Sequence, residues 1–253
     1  KTDLIARDVI RRLKPEARFI YMGTEPTVSA NDFVADDSFI IRGEPELTIS
    51  ELVEGIEGIR GLAGIDGITF MLDKAIKDNP PREVIENLYN LPFPDRSLLQ
   101  QADYNNPKLS RRPFTTIISS RGCSYRCYYC VPNSLDFARE IEFKRFDPAK
   151  KKPPVRMRSA GNVVEEIKML HSRGFKSISF IDDQFVWNPK RVIDICEGIK
   201  DLDIEWSCLA RADHLLNDDV IKSMSEAGCK YIDIGVESFD EKILDCINKD
   251  LKV

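Results

Sequence analysis

The chain has 253 residues, of which 42% are hydrophobic and 31% charged, and a formal net charge of −5. That length suits one large or two ordinary domains, and the small negative charge offers no general attraction for nucleic acid or an anionic membrane. No apolar run approaches the ~18 residues of a membrane span, and no basic-then-apolar leader opens the chain. Seven cysteines, an odd number with three clustered, speak for a metal site in a reducing compartment rather than a disulfide framework. The cytoplasm is the expected location. A start at Lys1 without methionine and a stop at Val253 directly after a helical pattern suggest a piece of a longer protein.

The first third alternates short helical and strand patterns. Leu4, Ile5, Val9, Ile10 and Leu13 recur at helical spacing until Pro15 stops the run. Phe19 to Met22 is a short strand ending at Gly23, and the turn-like Thr24-Glu25-Pro26 follows. Ser38 to Arg42 is a second strand, closed by Gly43, and Thr48-Ile49-Ser50-Glu51 forms a capping box for a helix through Leu52, Val53 and Ile56. Glycines at every third position from Gly55 to Gly67 make a helix end and a loop; the repeat is too short and too poor in proline for collagen. Ile68 to Leu72 is the next strand. This alternation predicts a parallel sheet, a small Rossmann-like domain over residues 1–76. Residues 77–113 hold six of the fourteen prolines and read as a linker, pinned to a domain surface by Leu91-Pro92-Phe93-Pro94.

From Phe114 the pattern becomes regular. Thr115 to Ser120 is a buried strand, and Arg121 to Pro132 follows as R-G-C-S-Y-R-C-Y-Y-C-V-P, with Cys123, Cys127 and Cys130 in C-x3-C-x2-C spacing. Thiolates this close suit a soft metal or an iron–sulfur cluster. Three ligands leave one iron of a [4Fe–4S] cube without a protein donor, as a site binding substrate at the metal requires. The basic stretch 139–158, with eight basic and three acidic side chains, is expected to be a solvated insert. Three further strand and helix pairs follow. Ser177 to Ile181 ends in Asp182-Asp183, Ile204 to Leu209 is followed by Arg211, and Tyr231 to Val236 ends in Glu237-Ser238. Helices capped at Ser159 or Asn162, at Asn188-Pro189, at Asn217 and at Ser238 lie between and after them. Residues 114–253 thus make about four βα units of a parallel β/α barrel, whose C-terminal strand ends carry the chemistry. Cys123, Asp182, Asp183, Arg211, Glu237 and Ser238 all fall at those ends. Cys196 and Cys246 sit on apolar helix faces and are expected in the core; Cys208 and Cys229 have no clear assignment.

With Tyr129 just before the last cysteine, this loop resembles that of the radical S-adenosylmethionine (SAM) superfamily. Ser120-Arg121-Gly122-Cys123, Asp182-Asp183, Arg211 and Gly235-Val236-Glu237-Ser238 resemble its subgroup with an N-terminal cobalamin-binding domain. Arg42-Gly43-Glu44-Pro45-Glu46 and Leu91-Pro92-Phe93-Pro94-Asp95 resemble parts of that domain, so residues 1–113 are similar to its later part. Residues 1–76 are expected as the partial Rossmann-like, cobalamin-binding domain, 77–113 as the linker and 114–253 as a partial, TIM-like radical SAM barrel. The resemblance implies a [4Fe–4S] cluster on Cys123, Cys127 and Cys130, with SAM chelating its open iron and cleaved reductively to a 5′-deoxyadenosyl radical. It implies Tyr129 near the adenine, Asp182 or Asp183 near the ammonium, Arg211 near the carboxylate, and Glu237 or Ser238 near the ribose. Methyl transfer to an unactivated carbon, with cobalamin as a further cofactor, is the implied reaction.

The implied partners are an electron donor such as flavodoxin or ferredoxin and a small-molecule, peptide or lipid substrate, with no nucleic acid. The D-x-H-x-x-G motif of many cobalamin domains is absent, since His171 is the first histidine; the cobalt ligand lies upstream or is not a histidine. Alternatives are a radical enzyme that cyclises or rearranges without methylating, and a zinc-binding interaction module. The tRNA methylthiotransferases share the loop, but they need a second cysteine triplet near the N-terminus, and residues 1–122 contain no cysteine.

Overall fold

The computed structural model describes residues 2–99, 104–130 and 134–252, with side chains from Ile5 onward. Val131 and Pro132 of the cysteine motif, residues 100–103 of the expected linker, and both terminal residues lie outside the described residues. The chain forms two compact units, one of residues 1–85 with 129–153 and the other of 86–128 with 154–253. These cuts differ from the proline-based division. The described parts of 86–113 pack with the second unit: Arg96 donates to Glu166 (2.9 Å) and to the Thr116 carbonyl (2.8 Å), and Ser110 bonds Glu205.

In the first unit, α1 (Thr2–Leu13) ends before Pro15 as its periodicity predicts, and β1 (Phe19–Tyr21) leads to the short helix α2 (Thr24–Val28), where a turn is expected. β2 (Ser38–Ile41) runs parallel to β1. Helix α3 (Pro45–Ile56) starts a turn earlier than the expected capping box, because Pro45 takes the first helical position. Thr48 therefore lies inside the helix, accepting a bond from Arg82 Nε at 2.9 Å.

The sheet is mixed, not parallel. β3 (Ile68–Leu72) runs antiparallel to β2, and β4 (Ala75–Asp78) antiparallel to β3. The glycine-rich stretch after α3 carries the chain back to the end of β2, where the Arg42 amide bonds the Gly67 carbonyl at 2.7 Å. Asp73 and Lys74, both in the left-handed region, make the two-residue hairpin turn. Phe39, Ile41, Leu52, Ile65, Ile68 and Phe70 form the core.

Helix α4 (Leu135–Phe146) completes this unit and corrects the expected solvated insert. Arg139 and Glu142 are buried, and their ion pair sits 3.5 Å from Arg42, itself fully buried. Gly43, with a positive φ, has no Cβ where the Arg139 guanidinium passes. The basic count hid paired charges: a charge is buried at tolerable cost only with a partner.

In the second unit, β5 (Phe114–Ile117), β8 (Ser177–Phe180), β9 (Glu205–Arg211) and β10 (Cys229–Gly235) form a wholly parallel sheet in chain order. The intervening strands β6 (Ser120–Arg121) and β7 (Arg156–Met157) make a separate antiparallel ribbon. Helices α5 (Ala160–Ser172), α6 (Pro189–Ile199) and α7 (Asp218–Glu226) are the crossovers, capped by Ser159, Asn188 and Asn217. Sequential parallel order with helical crossovers is the build of a β/α barrel. Trp206, Phe180 and Phe185 lie at the centre of the core. α8 (Glu241–Cys246) is capped by Asp240, not Ser238, whose hydroxyl accepts from the Asp240 amide. Among the described residues no helix is long and apolar enough to cross a membrane.

Candidate functional site

The C-terminal end of the parallel sheet gathers the polar residues of the second unit. β5 leads through Ser119 and Ser120 into the cysteine loop, and each neighbouring strand delivers one group beside it. Asp182, 2% exposed, accepts from the Ser119 amide (2.6 Å), the Ser119 hydroxyl (2.5 Å) and the Ser120 hydroxyl (2.7 Å). Burial pushes its pKa above the ordinary value, against the pull of these donors and of Arg191. Asp182 thus ties two strand ends together, and no edge of it faces solvent. Asp183 is exposed, and its Oδ2 accepts from the Gly122 amide at 3.1 Å. Of the two acids, Asp183 is the one that can meet a ligand.

Arg211 is 7% exposed. It donates to both oxygens of Asp213 (3.0 Å each) and to the carbonyls of Lys249 (2.9 Å) and Asp250 (2.8 Å), and its guanidinium lies 3.5 Å from the centre of the Tyr125 ring. Burial works against its charge, but Asp213, with further contributions from Tyr125 and Cys127, leaves the pKa raised. Its donors already hold the segment after α8, which limits what they offer to a ligand carboxylate. Glu237 occupies the left-handed region (φ 62°), and its Oε1 lies 3.2 Å from Lys249 Nζ. Asn248 and Asp250 are left-handed too, a cluster of costly backbone conformations of the kind found at binding sites.

The cysteine loop is anchored to the same segment. The Tyr128 amide donates to the Ile247 carbonyl (3.0 Å), and Asn248 Nδ2 donates to the Arg126 carbonyl (2.8 Å). Ser124, Tyr125, Arg126, Asp245, Asn248 and Asp250 line a cavity of about 580 Å³ there. Cys123 is half-buried, Cys127 buried and Cys130 exposed, and none of the three is in a disulfide. Tyr129 is 46% exposed; with Cys130 it belongs to the first unit, while Cys123 and Cys127 belong to the second. Among the described residues no three Cys, His, Asp or Glu side chains come together in a metal-holding group. The donor set is three soft sulfurs in one loop, and its chemistry fits an iron–sulfur cluster better than a hard cation.

Cys196 and Cys208 lie in the core, and burial pushes the Cys196 thiol up to about 12. Cys246, expected in the core, is exposed, since the short α8 buries Leu244 instead. Sequence reasoning missed Tyr125, Trp187, His214 and Asn248. Trp187 and His214 could have been flagged by their place just past the ends of β8 and β9.

Residues 117–252 match the family model described as the Radical SAM superfamily. An uncharacterized methyltransferase of Pyrococcus horikoshii is 37% identical over 83% of this chain and 42% of its own length. An anaerobic magnesium-protoporphyrin IX monomethyl ester cyclase of Synechocystis is 27% identical over 96% of this chain and 46% of its own. The solved structure of the cobalamin-dependent SAM radical enzyme OxsB, with aqua-cobalamin and SAM bound, superposes with a TM-score of 0.69. It is 21% identical, over 92% of this chain and 33% of that one, a likeness of fold. The chain spans less than half the length of the curated relatives it matches.

Proposed function

Because the chain belongs to the radical SAM superfamily, we propose that it is part of a cobalamin-dependent radical SAM methyltransferase acting on an unactivated carbon. When bound, the [4Fe–4S] cluster and SAM supply a 5′-deoxyadenosyl radical that takes a hydrogen from the substrate.

Cys123, Cys127 and Cys130 hold the cluster in this reading. Asp183 accepts from the SAM ammonium, because it is exposed where Asp182 is buried. Arg211, with its donors given to Asp213, Lys249 and Asp250, serves the SAM carboxylate mainly through its charge and shapes the cavity wall. Tyr129 lies against the adenine, and Glu237 or Ser238 bonds the ribose. The residue types suit a zwitterionic nucleoside: an acceptor for the ammonium, a cation for the carboxylate, oxygens for the hydroxyls. The first unit contributes to cobalamin binding, and a flavodoxin- or ferredoxin-like donor supplies the electron. The substrate is a small molecule, a peptide or a lipid in this reading.

The observation that carries this reading is the Asp183–Gly122 bond, which fastens the cysteine loop beside an exposed carboxylate at the sheet's C-terminal end. Anaerobic reconstitution followed by assay for 5′-deoxyadenosine tests it. A protein that holds its cluster and cleaves no SAM refutes the catalytic reading. The likeness to the cyclase over nearly the whole chain favours, as a second reading, a radical reaction without methyl transfer. Methyl-labelled SAM separates the two: label stays off the product if the second is right.

A further inference from the structure

Tyr125 stands midway between Cys123 and Cys127, and side chains from two neighbouring strand ends hold it. Its hydroxyl lies 2.9 Å from His214 Nε2, and His214 Nδ1 lies 2.7 Å from the Val186 carbonyl oxygen. A carbonyl only accepts, so Nδ1 carries a hydrogen. In the neutral ring Nε2 is then the acceptor, and the Tyr125 hydroxyl donates to it. Trp187 stacks on Tyr125 at 17° with centroids 6.1 Å apart, and His214 meets Trp187 edge-on at 87° and 5.5 Å. Both geometries are favourable for aromatic pairs. The cluster joins the loop after β8, the turn after β9 and the cysteine loop through side-chain contacts and one bond to the Val186 main chain.

We propose that His214, supported by Trp187, is a positioning residue for the cysteine loop: it fixes Tyr125 and so orders Cys123 and Cys127 for cluster binding. The inference rests on the reading of this loop as the cluster's ligand loop. Asp183 anchors the loop at Gly122, and Ile247 and Asn248 anchor it at Tyr128 and Arg126. Between those anchors lie Cys123, Ser124 and Tyr125, where Tyr125 is held by His214. Ordering backbone residues costs conformational entropy, so a hydrogen-bonded and stacked side chain at the centre of this span lowers what the cluster must supply. Partners that orient metal ligands from outside the coordination shell are worth about 10–100-fold in metal affinity.

The test uses the anaerobically reconstituted protein and needs no turnover. Wild type comes first: if it takes up no [4Fe–4S] cluster, the proposed function fails on its own account. Given a loaded wild type, His214→Leu is expected to lose iron to a ferrous chelator about tenfold faster and to alter the electron paramagnetic resonance spectrum of the reduced cluster. His214→Gln offers an acceptor to Tyr125 and a donor to Val186, and is expected to restore both near wild type. Iron release from His214→Leu at the wild-type rate overturns the proposal. So does a Gln variant as fast as the Leu variant, because the hydrogen bonds are then irrelevant. Should His214→Leu not fold, Tyr125→Phe removes the hydroxyl alone: faster iron release supports the proposal, and an unchanged rate overturns it.

Discussion

The Asp183 carboxylate accepts a hydrogen bond from the Gly122 amide at 3.1 Å, one residue before the first cysteine of the loop, and stays exposed. Asp182 beside it is buried under three donors from Ser119 and Ser120. Adjacent, chemically identical side chains therefore have separable roles. Asp183→Asn is expected to leave the melting temperature unchanged and weaken SAM binding by about 10–100-fold, the worth of a hydrogen bond to a charged group. Asp182→Ala is expected to destabilise the second unit by at least ~1–3 kcal/mol, because buried donors lose their acceptor. Calorimetry for SAM and denaturant melts check the pair. Equal SAM affinity in wild type and Asp183→Asn would remove Asp183 from the site.

The cysteines sort in the same manner. Replacing Cys123, Cys127 or Cys130 singly with Ala is expected to abolish cluster retention, measured as iron and sulfide per chain. Cys246→Ala is expected to change neither, since that thiol is exposed on α8. Cys208→Ala should lower stability while the cluster stays, because Cys208 is 1% exposed in the hydrophobic core. Iron lost from Cys208→Ala at unchanged stability would reassign the ligand set.

Much of the second unit was legible because local signals agreed: helical periodicity in α5, α6 and α7, with Ser159, Asn188 and Asn217 as caps. The placement of Cys123, Asp182, Asp183, Arg211 and Glu237 at or just past strand ends was legible for the same reason. What escaped was set by distance or direction. Tyr125 and His214 are 89 positions apart, and no local pattern links them. β4 has every residue exposed, which leaves no alternation to read. The mixed sheet turns on where the loop ending at Gly67 delivers β3, which hydrophobic patterning does not encode. Arg139 and Glu142 looked like surface charge because composition cannot tell a paired buried ion from a solvated one.

That buried pair is a stability test in its own right. The Arg139–Glu142 ion pair, with Arg42 3.5 Å from Glu142, is closed off from solvent. Burial raises the Glu142 pKa above its ordinary 4.5, while Arg139 and Arg42 pull it down. A carboxyl whose folded-state pKa is raised contributes stability that is complete below the unfolded value and is lost as pH rises through the folded value. Arg139→Met removes the nearest opposing charge and lifts Glu142 further, so the variant should be weaker by about 3–5 kcal/mol near neutral pH. The deficit should shrink as pH falls toward the ordinary carboxylate range. Urea melts at about pH 5 and about pH 8 bracket the effect. A pH-independent deficit would mean that Arg139 acts by packing alone.

Gly198 on α6 makes the last prediction, at the crossing of α5 and α6. A Cβ there would lie 2.6 Å from one Val164 methyl and 2.9 Å from the other, so the close approach of the helices depends on the missing side chain. In an exposed helix Gly→Ala gains about 1 kcal/mol of helix propensity. Here overpacking of about 1–3 kcal/mol is expected to outweigh that gain, making Gly198→Ala a net destabilising change. Val164 is only partly buried, and trimming it to Ala vacates the volume in which both contacts fall. The double variant Gly198→Ala/Val164→Ala should therefore be more stable than the sum of its single changes, by a coupling of about 0.5–3 kcal/mol. A double-mutant cycle from denaturant melts measures that coupling directly. Strict additivity would show that the helices move apart freely, and that the crossing is not held by this contact.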